Sequence, residues 1–290
     1  MPSRVILLFI AVFAVSWASI FVRLSEAPAL ACAFWRVTFS TLIIASLSLS
    51  KILNDLRRLK SSDIIKLFIP GFSLALHFGL WMESLFHTTV AISTTIVCTH
   101  PIFSALITYV KLKEKPTIGQ IIGFLLALIG MHFLYIADNV TIDEAYMGDH
   151  ALGIILALGG AITGGIYFAY GRIMRRHITL SVYTFVVYSS SVITLLAFML
   201  IFNIPIFGYS IKSWTFFFLL ALVPMMLGHT ILNYLLKYFK VISITSAVLG
   251  EPIGATLLAM VIFNEIPTTL TVIGMVMTLS GIALVLISER

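Results

Sequence analysis

The chain has 290 residues, of which 60% are hydrophobic and only 10% charged, against about 25% charged in an ordinary soluble domain. That balance excludes a water-facing globule and leaves no stretch for a soluble domain, a linker or a low-complexity tail. The formal net charge of +6 would suit nucleic acid or an acidic partner if the basic residues clustered on one surface, but they alternate along the chain, and nucleic acid is not an expected partner.

Apolar stretches long enough to cross about 30 Å of hydrocarbon recur ten times, at residues 5–22, 30–49, 67–86, 90–110, 117–137, 151–170, 180–202, 215–236, 241–263 and 268–287. The expected fold is therefore all-α and integral to the membrane, with ten transmembrane helices. Placing the N-terminus in the cytoplasm puts 15 basic residues in inner loops and only Arg23 and Lys212 in outer ones. This positive-inside distribution predicts that both termini are cytoplasmic, in a multi-pass protein of the cell membrane.

The first span follows Arg4 and is followed by "EAPALA", the outline of a cleaved leader. Its apolar core is longer than a leader's usual 7–15 or so residues, so it is read as a retained helix. Trp17 within it offers a flat wall to a substrate. Arg36, early in the second span, is the one basic residue inside any span. A structural ion pair with Glu83 or Glu251, or an outward snorkel, is the expected account, with a substrate carboxylate as the alternative. On the third span His77 and Trp81 share a face four residues apart.

The fourth span carries Ser93, His100 and Ser104 on one polar face. Pro101 removes a backbone donor there and frees the Val97 carbonyl, predicting a helix break. Beyond it, Gly119, Gly123 and Gly130 line a packing stripe on the fifth span. The following loop contains a glycosylation sequon, Asn139-Val140-Thr141, read as chance. Tyr167 on the sixth span is a second candidate wall, and His229 with Asn233 on the eighth repeats the four-residue spacing of His77 and Trp81. On the ninth span Glu251 precedes Pro252, which frees the Val248 carbonyl, and Gly250 and Gly254 allow another backbone to come close. Cys32 and Cys98 both lie in spans and imply no disulfide framework.

These features repeat. Shifting the chain by 151 positions places Pro101 on Pro252, Glu114 on Glu265 and Pro116 on Pro267, without a gap from Thr94/Thr245 to Gly130/Gly281. His77 and His229 match with a slip of one residue, and Trp17 matches Tyr167 more weakly. The expected units are residues 1–138 and 149–290, five spans each. Five is odd, so the second unit enters the membrane inverted. Two such halves can exchange shapes about a shared site, the architecture of alternating access.

The stretches "SIFVRLSEAPALACAFWR", "ALHFGLWMESLFHTTVAISTTIVCTHPIFSAL", "YGRIMRR", "LGHTILNYLLKYFKVISITSAVLGEPIGATLLAMVIFNE" and "IGMVMTLSGIAL" resemble the drug/metabolite transporter superfamily, EamA type, along nearly the whole chain. The resemblance implies a ten-helix carrier of amino acids or other small metabolites, often an exporter. Related four-helix multidrug exporters use a first-helix glutamate. The first span here has none, so their drug/proton exchange does not carry over.

The expected function is secondary export of a small polar metabolite such as an amino acid. His77, Trp81, His100, His229, Asn233, Glu251, Trp17 and Tyr167 would line the cavity, and Glu251 or His100 would bind a coupling proton. Expected partners are the substrate, the bilayer, a proton or counter-substrate, and a second copy in a homodimer. No cofactor or metal is expected. A nucleotide-sugar or sugar-phosphate cargo would ask for several cations, and Arg36 stands alone. An intramembrane enzyme or a channel is the alternative of another class, though no HExxH pattern, metal-ligand spacing, mid-span lysine or Walker loop supports catalysis or ATP drive.

Overall fold

Lipid offers no hydrogen bonds, so a membrane chain must satisfy its backbone within helices or a closed barrel. The computed structural model describes residues 2–88, 90–139, 149–263 and 268–289, and among these it contains helices and no strand. In chain order the helices are α1 (Pro2–Val15), α2 (Ala18–Leu24), α3 (Ala29–Leu56), α4 (Ser61–His87), α5 (Val90–Val97), α6 (His100–Leu112) and α7 (Ile118–Asn139). They continue with α8 (His150–Arg175), α9 (Leu180–Ile201), α10 (Ile211–Leu220), α11 (Ile231–Leu235), α12 (Val241–Ala247), α13 (Glu251–Phe263) and α14 (Thr269–Ile287). Among the described residues, 9 runs are long and apolar enough to cross a membrane, and α7 contributes a shorter apolar stretch, Ile118–Phe133. Glu265, Pro267, the sequon residues Val140 and Thr141, and Arg290 lie outside the described residues.

Several expected single helices are broken, each for a local reason. The first span turns at Ser16 and Trp17, where the Ser16 hydroxyl donates to the Val12 carbonyl at 2.9 Å and competes with the helical ladder. The fourth breaks at Cys98 and Thr99, and the ninth passes through a 3-10 turn at Val248–Gly250. In both, the new helix starts one residue before the proline, at His100 and at Glu251. Pro101 and Pro252 thus occupy first-turn positions, where the missing N–H does no harm. The eighth span widens into a π-helix at Ala221–Thr230, which holds Pro224. A proline that cannot donate four residues back relaxes the ladder there.

The spans pack α4 against α8 and α9, α3 against α9, α6 against α8, α7 against α14, and α1 against the π-helical stretch. Large apolar side chains such as Phe9, Leu47, Ile65, Leu106, Ile193 and Val276 are left exposed on the outside, where lipid would meet them. Between α7 and α14 the contact is backbone on backbone: a Cβ added at Gly123 would lie 2.7 Å from the Gly281 carbonyl oxygen, and one at Gly130 would lie 2.6 Å from that of Gly274. Thr278 donates to the Gly274 carbonyl at 2.8 Å within this seam. Close packing of this kind leaves no space for a larger residue. Gly281→Leu is therefore expected to destabilise the protein by about 1–3 kcal/mol or more through overpacking, lowering the thermal midpoint in detergent. An unchanged midpoint would show that the seam is not close-packed.

Candidate functional site

The breaks in the fourth and ninth spans meet. The Cys98 thiol donates to the Val248 carbonyl at 3.8 Å, the carbonyl that Pro252 leaves without its helical donor. Ser104 and Thr245 approach hydroxyl to hydroxyl at 3.4 Å where α6 crosses α12. Gly254 faces Ser16 closely enough that a Cβ would collide with the serine side chain, so the first span's turn joins the same junction. Beside it lies a buried cavity with about 20 Å³ open to water centres, enough for a water molecule or so.

The structure brings His77, Trp81, His100, His229 and Glu251 to this one cavity, together with Arg36. His77 donates from Nδ1 to the Gly160 carbonyl at 2.8 Å, which leaves Nε2 as an acceptor in the neutral ring. Gly164 makes room for it, since a Cβ there would fall 2.7 Å from that nitrogen. The imidazole stacks with Trp81 at 6.3 Å between ring centres. Phe168 lies between two histidines, 5.0 Å from His100 and 6.0 Å from His229, and Phe78 meets His229 edge-on at 5.1 Å. The polar centre is thus set in an aromatic frame that fixes ring orientation.

Trp17, Tyr167 and Asn233 are not among the residues that line the cavity as it stands. Trp17 sits in the turn of the first span, half-buried and stacked on Phe21 at 5.3 Å, while Val15 and Ala18 on either side face the cavity. Tyr167 is one residue off: its neighbour Phe168 takes the wall, about 100° further round the helix. The Tyr167 hydroxyl instead accepts from the Asn233 amide at 2.5 Å, a buried pair behind the wall, with the Tyr167 ring 5.9 Å from that of His229. Leu232 replaces Asn233 at the wall, because residues three and four beyond His229 point to opposite sides of its direction. Cys98 and Phe168 are lining residues that sequence reasoning missed. Their signals, a cysteine two places before His100 and an aromatic beside Tyr167, were legible only as neighbours.

Arg36 lies on the cavity wall, short of any carboxylate among the described residues. It is 0% exposed, so it does not snorkel. Among the described residues no ion pair joins it to Glu83 or Glu251. Its guanidinium lies 4.1 Å over the Phe78 ring, and Nε, Nη1 and Nη2 have no hydrogen-bond partner. Its charge and that of Glu251 act on one another across the cavity. Burying an ion this way costs on the order of several kcal/mol. Glu83 pairs instead with His87 at 3.4 Å near the end of α4.

Both ends of the bundle are tied. At one, Glu114 accepts from Arg172 at 2.8 Å and Arg176 at 2.6 Å, and Arg172 also donates to the Leu236 carbonyl at 2.7 Å. At the other, Lys212 pairs with Glu26 at 2.6 Å, and Arg23 donates to the Leu85 carbonyl at 3.3 Å.

Broken spans that enclose a small polar cavity are the arrangement expected of a membrane transporter. The chain belongs to the EamA-like transporter family, whose model matches residues 3–136 and again 151–287. It is 26% identical over 246 residues to a Bacillus subtilis (strain 168) protein named "Uncharacterized transporter YdfC", covering 83% of this chain and 78% of that one. A solved crystal structure is similar at a TM-score of 0.78 with 16% identity, over 100% of this chain and 98% of the other, and shows the shared fold.

The geometry separates two tryptophans. Trp81→Ala should weaken binding of the transported metabolite to purified protein by about tenfold, the loss of one buried aromatic wall, at unchanged folded yield. Trp17→Ala should leave that affinity as it is. Equal losses would put the wall elsewhere.

Proposed function

We propose that this transporter is a secondary carrier that exports a small polar metabolite such as an amino acid across the cytoplasmic membrane by alternating access. Residues 1–138 and 149–290 act as inverted five-span halves, ten spans in all, with both termini in the cytoplasm. One observation carries the reading: two spans interrupted at equivalent positions, before Pro101 and before Pro252, converge on a single buried cavity. The packing supports it too. Exchanging each span of one half for its equivalent turns the α4–α8 contact into that of the π-helical stretch with α1, and maps α3–α9 and α7–α14 onto themselves.

His77, Trp81, His100, His229 and Glu251 hold the cargo, and the ties at the two ends are the inner and outer closures. The cavity as it stands is too small for an amino acid, so this arrangement is a contracted, occluded one that binding must expand. The family and its Bacillus relative, both named as transporters, favour a carrier over an intramembrane enzyme or a channel. A cargo rich in phosphate would face one guanidinium and no second cation among the described lining residues.

Accessibility of the two helix-joining tips tests the inversion. With Cys32 and Cys98 replaced by alanine, Lys113→Cys should react with an impermeant thiol reagent from the cytoplasm and Thr268→Cys from outside. Labelling of both from one side would overturn the inverted arrangement. Coupling is tested at Glu251, which faces Arg36, His77, His100, His229 and Cys98 around the cavity. In liposomes Glu251→Gln, which cannot release a proton, should lose the acceleration of metabolite exchange by an imposed pH gradient, whatever basal exchange it retains. Unaltered gradient dependence would remove the glutamate from the coupling step.

A further inference from the structure

Six buried nitrogens on four lining side chains have no hydrogen-bond partner among the described residues: three on Arg36, Trp81 Nε1, His100 Nδ1 and His229 Nδ1. Arg36 supplies only donors, as does the indole nitrogen. Opposed to them the same lining offers one carboxylate, that of Glu251, which is not within ion-pair distance of Arg36. Buried polar groups in native proteins are nearly all satisfied, and a buried guanidinium with every nitrogen idle needs an explanation.

Packing also fixes where that guanidinium points. Its Cζ sits 4.1 Å over the centre of the Phe78 ring, and Phe78 is held edge-on by His229. A planar fork fixed by an aromatic face is preorganised for a planar two-oxygen acceptor. The N-terminal ends of α6 and α13, which begin at His100 and Glu251 in the same lining, add their positive dipole ends to the site.

Resting on the carrier reading above, we infer that Arg36 is the anchor of a carboxylate on the transported molecule, gripping it through guanidinium nitrogens that make no hydrogen bond among the described residues. An ammonium group on the same molecule would fall to Glu251 across the cavity. A simple acid would occupy Arg36 alone. The anchor requires the carboxylate in either case. A cargo bearing only an amine leaves Arg36 unsatisfied and is rejected, because a site built for a polar group discriminates strongly against ligands that lack it.

The test measures binding to the purified full-length protein in nanodiscs. The probes are L-alanine, L-leucine and L-phenylalanine, each beside its decarboxylated amine and its deaminated acid. Wild type should bind carboxylate-bearing members of at least one set and not the matching amine. Arg36→Gln should weaken that binding by about thirtyfold or more and abolish the discrimination. Arg36→Lys, which keeps the charge but not the fork, should recover only part of it. Size-exclusion profile and thermal midpoint establish that the variants fold. If either variant does not, protection of wild-type Cys98 from thiol reagents by the acids and not the amines serves in its place.

Amine-selective binding, or full carboxylate affinity in Arg36→Gln, overturns the anchor. So does indifference of wild type to every probe while liposomes exchange a metabolite that has no carboxylate, and the carrier reading then stands. Arg36-dependent carboxylate binding without any saturable exchange has the opposite meaning: the anchor stands and the carrier reading falls.

Discussion

Everything in this molecule answers to the absence of water inside a bilayer. A helix there keeps its backbone bonds because nothing else will take them, and each departure from regular helix must be re-satisfied nearby. The departures are therefore few, and three of them meet at one point. The turn at Ser16, the break at Cys98 and the 3-10 turn at Val248–Gly250 lie against one another. The Val248 carbonyl, which Pro252 deprives of its usual helical donor, accepts from the Glu251 N–H in the 3-10 turn and from the thiol beside the other break. Placing the irregular backbone of two halves side by side makes a polar centre affordable in an apolar body.

How much of this is readable from the chain follows from the same physics. Composition and hydropathy give the membrane class, because 10% charge admits little else. The two prolines mark the breaks, since the ring's missing donor acts on the backbone wherever the residue falls. His77, Trp81, His100, His229 and Glu251 come together because polar residues in apolar spans have few other places to go.

Rotation about the helix axis is what the residue pattern conveys poorly. Tyr167 and Phe168 differ by one position and are both aromatic, and only packing decides which faces inward. Trp17 sits where α1 gives way to α2, so the helical phase before the turn does not carry across it. The glycines of α8 were passed over because each looks like any small residue. Gly160 and Gly164 earn their place through partners 83 and 87 residues earlier on α4, which seat His77. The cost of burying Arg36 points to an ion pair, and the carboxylate is present as Glu251 on the same cavity wall, but it does not come within ion-pair distance.

The seam between α7 and α14 sets a mechanical limit. Flexible side chains absorb small displacements by changing rotamer, whereas peptide groups in van der Waals contact have no such slack. If the proposed alternating access proceeds by rocking, the motion must leave that spacing nearly constant, and the seam would then serve as a fulcrum while the distant spans sweep the larger arcs. Cross-linking the two helices should on this view be tolerated by the cycle, while pinning α1 to α13 should halt it.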